Sequence, residues 1–178
     1  MIIVLDWETT GLTLHPDAPV NKQPRAIEFG GVAIDPDTGA VVRELSQLIN
    51  PGEPISAEIT KITGITNDQL VGQPTFKEFL PLLREFFAGA TCAIAHNLPF
   101  DKSILMFELK RAGITDFPWP DGELCTVGVY KDTWGRNPRL IELYPAITGK
   151  PFEQKHRALD DVMHLVEIIQ KEELWQLI

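Results

Sequence analysis

The chain opens MIIVLDWETTGL, an apolar run from Met1 to Leu5 that leads straight into Asp6, with Glu8 two positions on. This feature limits the possible folds most. A run rich in Ile and Val reads as a strand buried on both faces, over residues 2–8. Alternate residues of a strand share a face, so Asp6 and Glu8 project together and Trp7 projects the other way. Two carboxylates at the end of a buried strand repel each other and lose hydration. A divalent cation between them offsets that cost, and oxygen donors of this kind suit Mg²⁺ or Mn²⁺. Taken alone, Asp-x-Glu is common by chance and reads more readily as two exposed acids at a strand end.

The rest of the chain supplies a sheet around that strand. AIEFGGVAI (26–34) and VVRELSQLI (41–49) read as strands, and DPDTG (35–39) between them is turn chemistry that reverses the chain. TCAIA (91–95) and a short piece at 123–125 read as further strands. Helical patterns cover 56–71 in short pieces, 75–88 with a kink expected at Pro81, 98–112 up to Gly113, 126–133, 138–147 and 157–170. Meander strands followed by alternating helix and strand predict an α/β fold with a mixed sheet. With no repeat, linker or low-complexity tract, a single domain over 1–178 is expected.

Two helix openings carry further acids. AHNLPFD (95–101) follows a buried strand, and Asp101 shares its side with Ile104 and Leu105, so it leans inward. HRALDDV (156–162) opens the last long helix. There Asp161 shares a face with Ala158, Leu165 and Ile168 and points inward. Asp160 shares its face with His164, Glu167 and Lys171 and points to water, where an acid suits the helix N-terminus.

Together, Asp6 with Glu8, Asp101, and His156 with Asp161 resemble the DEDD superfamily of 3′–5′ exonucleases. More narrowly they resemble its DEDDh branch, which includes the epsilon proofreading subunit of bacterial replicative DNA polymerase. DWETTGL, IEFGGVAI, NPGEPISAEITKITGIT, HNLPFD, ITGKPF and HRALDD carry the resemblance along nearly the whole chain. His156 stands five residues before Asp161. The tyrosine branch of the superfamily carries Tyr four residues before that acid, where this chain has Arg157.

The resemblance implies a ribonuclease-H-like fold, with a mixed five-stranded sheet (three antiparallel strands, then two parallel) flanked by helices. It implies two divalent ions, Mg²⁺ or Mn²⁺. Asp6 would bridge both, Glu8 and Asp161 would complete the site of the ion that carries the attacking water, and Asp101 would help hold the second. His156 is the implied general base, suited by the ordinary imidazole pKa of ~6.5. Thr9, Thr10 and Gly11 would meet the terminal nucleotide, and Leu12 would wedge against the last bases. Asn97 and Phe100 would contact the penultimate sugar and base. Ile62 and Thr63, with Gly64 and Ile65, would form part of the base pocket. The family commonly has His where this chain has Thr63. His15 and His164 are expected to carry no chemistry, and His96 to support the second motif structurally. The loop 13–25 reads equally as a cover for the site and as plain surface.

The implied substrate is single-stranded DNA or a frayed 3′ end, released as nucleoside 5′-monophosphates. Short RNA is the alternative, because the motifs detect no 2′-hydroxyl. A non-catalytic module that binds a polymerase or nucleic acid is a third reading, disfavoured because all four acids and the histidine are present. A DNA polymerase is a partner the resemblance allows, whether the protein is a proofreading subunit or a free-standing nuclease. The formal charge of −9 argues mildly against a protein that coats nucleic acid by bulk charge. Within that balance Lys131, Arg136, Arg139, Lys150, Lys155 and Arg157 form a basic stretch, read equally as a solvated surface and as a rim for a nucleic-acid backbone. Two cysteines, the lack of a signal-peptide pattern and apolar runs too short to span a membrane point to the cytoplasm.

Overall fold

The structure is a computed structural model that describes residues 1–152 and 156–178. Five strands form one sheet: β1 (Ile2–Thr9), β2 (Ala26–Ile34), β3 (Val41–Leu48), β4 (Cys92–Ala95) and β5 (Gly122–Cys125). Their order is β3-β2-β1-β4-β5. The first three pair antiparallel and the last two join in parallel, as expected. The apolar start of the chain is therefore the central strand. Among the described residues seven helices surround the sheet: α1 (Ala57–Thr63), α2 (Asn67–Leu70), α3 (Phe76–Phe87), α4 (Leu98–Ala112), α5 (Thr126–Trp134), α6 (Leu140–Thr148) and α7 (Ala158–Lys171).

The alternation of β1 sorts its side chains between two cores. Ile3, Leu5 and Trp7 face α3 and α4, where Phe29, Phe79, Phe86 and Phe87 build an aromatic layer. Trp7 and Phe29 lie 4.7 Å apart between ring centroids. α3 presents Phe76, Phe79, Leu80, Leu83, Phe86 and Phe87 inward and runs through Pro81, which lies on its exposed side. Thr75 and Glu78 cap its start reciprocally. On the opposite face Ile2, Val4, Val32, Ile34 and Ile94 pack against Val162, Leu165, Val166 and Ile169 of α7.

This second face carries the site, and glycine makes it possible. A Cβ on Gly30 would lie 2.3 Å from the carbonyl carbon of Ala158 and 2.4 Å from the nitrogen of Leu159. The first turn of α7 therefore sits directly on the backbone of β2, an approach only glycine permits. Residues Val20–Lys22 and Leu174–Leu177 form short 3-10 turns not foreseen in the sequence.

Candidate active site

Asp6 and Glu8 project from the α7 face of β1, in register with Gly30 and Glu28 of β2. Because α7 docks at Gly30, Asp161 in its first turn comes over the end of β1. Asp6, Glu8 and Asp161 each offer a carboxylate oxygen, and these atoms lie within 4.8 Å of one another. Asp101, buried in the first turn of α4, stands behind this group, and its Oδ1 accepts the Trp7 N–H at 3.2 Å. Asp161 Oδ1 is buried without a hydrogen-bond partner. The β1–β2 register shifts between Glu8 and Thr9, so the strand breaks its pleat just past the acids.

Burial, then mutual repulsion, makes these carboxylates reluctant to ionise. Glu8 is pushed up to about 9 by desolvation and by the charges of Asp6, Asp161 and Glu28. Burial pushes Asp161 up to about 6. Asp6 and Asp101 are both raised, first by desolvation and then by neighbouring acids, Asp101 feeling Asp6 directly. A cluster of oxygen donors that cannot all ionise unaided, one with an unsatisfied buried lone pair, fits a hard divalent cation.

A pH dependence follows. A carboxyl whose pKa is higher in the folded than in the unfolded chain contributes stability that is full below the unfolded pKa and lost as pH rises through the folded one. For Asp161 the loss runs from its ordinary 3.8 to about 6, and for Glu8 from 4.5 to about 9. Metal-free protein should therefore melt at progressively lower temperature between about pH 5 and about pH 8.5, and the rise in Tm on adding Mg²⁺ should grow over the same interval. Melting curves with and without Mg²⁺ at both ends of that range check this. An Mg²⁺ effect that shrinks toward alkaline pH would contradict it.

His156 is half-buried and lies next to Arg157, just outside α7, with φ 47. A non-glycine residue in the left-handed region is uncommon and often marks a functional segment. Asn97 is the other left-handed residue of the motifs, with φ 79 at the N-cap of α4, and its side chain is exposed. Leu12 and Ile62 are exposed apolar side chains, at 83% and 47%. Phe100 packs against the aromatic core. The hydroxyls of Thr9, Thr10 and Thr63 are engaged internally. Thr9 Oγ1 donates to Gly11 O, Thr10 Oγ1 accepts the Arg25 N–H, and Thr63 Oγ1 donates to Ile59 O and accepts the Ile65 N–H. Thr63 is buried and serves the turn after α1.

The other histidines occupy plain roles. The Nε2 of His96 lies 3.0 Å from the Pro138 carbonyl, so it carries the proton, and Nδ1 accepts from Thr126 Oγ1, also at 3.0 Å. This ties the second motif to the α5–α6 connection. His15 is exposed beside Asp17. His164 lies between the rings of Tyr144 and Phe152, at 4.6 and 4.5 Å. The Asp160 face of α7 is therefore partly covered by α6, where the sequence predicted open water. Asp160 itself is half-buried.

The basic stretch is largely neutralised. Arg136 and Arg139 pair with Glu142, Lys150 with Glu167 and Arg157 with Glu28, while Lys155 lies outside the described residues. The loop 13–25 is fastened down. Arg111 donates to the carbonyls of Val20, Gln23 and Pro24 and to Glu108, which in turn accepts the Ala26 N–H.

Sequence reasoning missed Glu28. It is 1% exposed, and its carboxylate binds the Arg157 guanidinium and the Ala158 N–H. One signal was available: a charged residue inside a strand that is otherwise entirely apolar or glycine.

Comparison with known proteins agrees with this geometry. The exonuclease family model, RNase_T, matches residues 3–169. The DNA polymerase III subunit epsilon of Aquifex aeolicus is 31% identical over 176 residues, covering 97% of this chain and 81% of that protein. The PolC-type DNA polymerase III of Caldanaerobacter subterraneus subsp. tengcongensis is 37% identical over 170 residues, covering 95% of this chain. This chain spans 11% of that protein and a quarter or less of the other first relatives. Among solved structures, the nuclease domain of 3′hExo, a DEDDh family member, bound to rAMP, superposes with a TM-score of 0.78 at 18% identity. That match covers 97% of this chain and 91% of the other.

Proposed function

This chain belongs to the exonuclease family, and from that premise we propose that it is a 3′–5′ exonuclease acting as a single domain over 1–178. The observation that carries the reading is the convergence of Asp6, Glu8 and Asp161 within 4.8 Å, with Asp101 behind them. These four residues would hold two Mg²⁺ or Mn²⁺ ions. Such ions supply Lewis acidity and positive charge toward a phosphodiester. The chain's own residues do the rest. His156 accepts the proton of the attacking water. The water oxygen bonds to phosphorus, the bond to the 3′ oxygen of the preceding nucleotide breaks, that oxygen takes up a proton from solvent, and His156 gives the proton it accepted back to solvent. The products are a nucleoside 5′-monophosphate and a strand one nucleotide shorter with a 3′-hydroxyl. Leu12 and Ile62, both exposed, suit contact with terminal bases, and Thr9, Thr10, Gly11, Thr63, Asn97 and Phe100 are the further proposed substrate residues.

Single-stranded DNA or a frayed 3′ end is the proposed substrate, supported by relatives that are DNA polymerase III proteins. A DNA polymerase is the proposed partner and the cytoplasm the proposed setting. Among the described residues no helix is long and apolar enough to cross a membrane. RNA is the second reading, supported by the structural neighbour bound to rAMP.

The test uses 5′-labelled DNA and RNA of one sequence, with free, 3′-phosphorylated and circular forms. With Mg²⁺ or Mn²⁺, the free 3′ end should shorten stepwise and release nucleoside 5′-monophosphates. The blocked and circular forms should resist, and EDTA should stop the reaction. Cleavage of circles, or undiminished turnover in EDTA, would sink the proposal.

A further inference from the structure

Glu28 faces Glu8 across the β1–β2 register, so it would be a fifth acid around the site. Its oxygens are committed elsewhere. Arg157 Nε lies 3.0 and 3.1 Å from its two oxygens, Arg157 Nη2 lies 2.5 Å from Oε1, and the Ala158 N–H reaches Oε2 at 3.0 Å. Such a forked pair fixes direction as well as distance. The residues it grips lie between His156 and Asp161, and the turn they begin rests on Gly30.

We infer that Glu28 and Arg157 are a positioning pair that sets the first turn of α7, so that Asp161 meets Asp6 and Glu8, and that keeps the charge of Glu28 away from the bound ions. This rests on the metal-dependent reading above. The charges agree with it. Arg157 cancels Glu28, leaving the four negative charges of Asp6, Glu8, Asp101 and Asp161 for the four positive charges of two divalent ions.

The test compares the parent with Glu28→Gln and Arg157→Lys in three measurements: Mn²⁺ titration by calorimetry, kcat and KM on an oligonucleotide, and melting without metal. Glu28→Gln should weaken Mn²⁺ binding ~10–100-fold, the usual effect of losing a partner that orients a metal site. Its kcat should fall while KM stays within about twofold, because the substrate is not touched. Arg157→Lys keeps the charge and loses the fork, so it should fall between the two. A folded Glu28→Gln variant that melts lower but keeps parental Mn²⁺ affinity and kcat would overturn the inference. If Glu28→Gln does not fold, Arg157→Lys decides, since that side chain is 41% exposed; parental Mn²⁺ affinity and kcat in that variant would likewise overturn it. A parent that binds Mn²⁺ without cutting any oligonucleotide overturns the nuclease reading alone, and the affinity comparison still judges the pair.

Discussion

Asp161→Asn should yield a folded protein without measurable nuclease activity, whereas its neighbour Asp160→Asn should keep most of its rate. Successive helix residues point ~100° apart, so the two acids cannot serve the same ions. Asp161 belongs to the three-carboxylate group and has a buried oxygen with no partner. A neutral amide there offers a poor ligand and one negative charge too few, and turnover should drop by ~10³-fold or more. The same change should raise the melting temperature of metal-free protein, because it removes a charge that burial already opposes. Asp160→Asn should cost ~0.3–1 kcal/mol of stability at the helix N-terminus. Rates and melting curves of both variants decide the matter. A dead Asp160→Asn with an active Asp161→Asn would mean that the wrong acid has been placed in the site.

His156→Ala should lower kcat by ~10²–10⁴-fold and leave Mn²⁺ binding intact. The histidine lies two residues before the start of α7, in a left-handed conformation that side chains seldom adopt. It precedes Arg157, whose guanidinium is held by Glu28, and it is not one of the three acids that converge. If His156 is the proposed proton acceptor, its removal slows the chemical step and leaves the proposed ion ligands in place. Calorimetry with Mn²⁺ beside single-turnover kinetics separates these effects, and a full-rate alanine variant would reduce His156 to a structural residue.

Where local geometry determines direction, the sequence was informative. Strand alternation placed Asp6 and Glu8 on one side and Trp7 on the other, and helix periodicity separated Asp161 from Asp160. The antiparallel β2–β3 pair followed from the turn chemistry of DPDTG, and the five-stranded mixed sheet from the family resemblance. What the sequence concealed depends on partners far along the chain. Glu28 looked like one polar residue in a buried strand, and its meaning comes from Arg157 and Ala158, which arrive only when α7 docks. Nothing in the spacing singled out Arg111, yet it fastens the loop 13–25. Thr63 invited reading as a changed pocket residue, and its hydroxyl is spent on the turn beneath it. His164 counted as surface by its spacing on α7, and the approach of Tyr144 on α6 and of Phe152 beyond it covers it.

The contact between Gly30 and the first turn of α7 also bears on how the protein is made. A ribosome releases β1 and β2, which carry Asp6 and Glu8, well before α7, which carries Asp161. Domains generally fold as whole units during synthesis. Until α7 settles on that glycine the third carboxylate is missing, so a nascent or truncated chain has no complete cutting centre. Competence is thus tied to the docking of α7, and a chain cut before Asp161 would keep the central strand with Asp6 and Glu8 but not the third carboxylate.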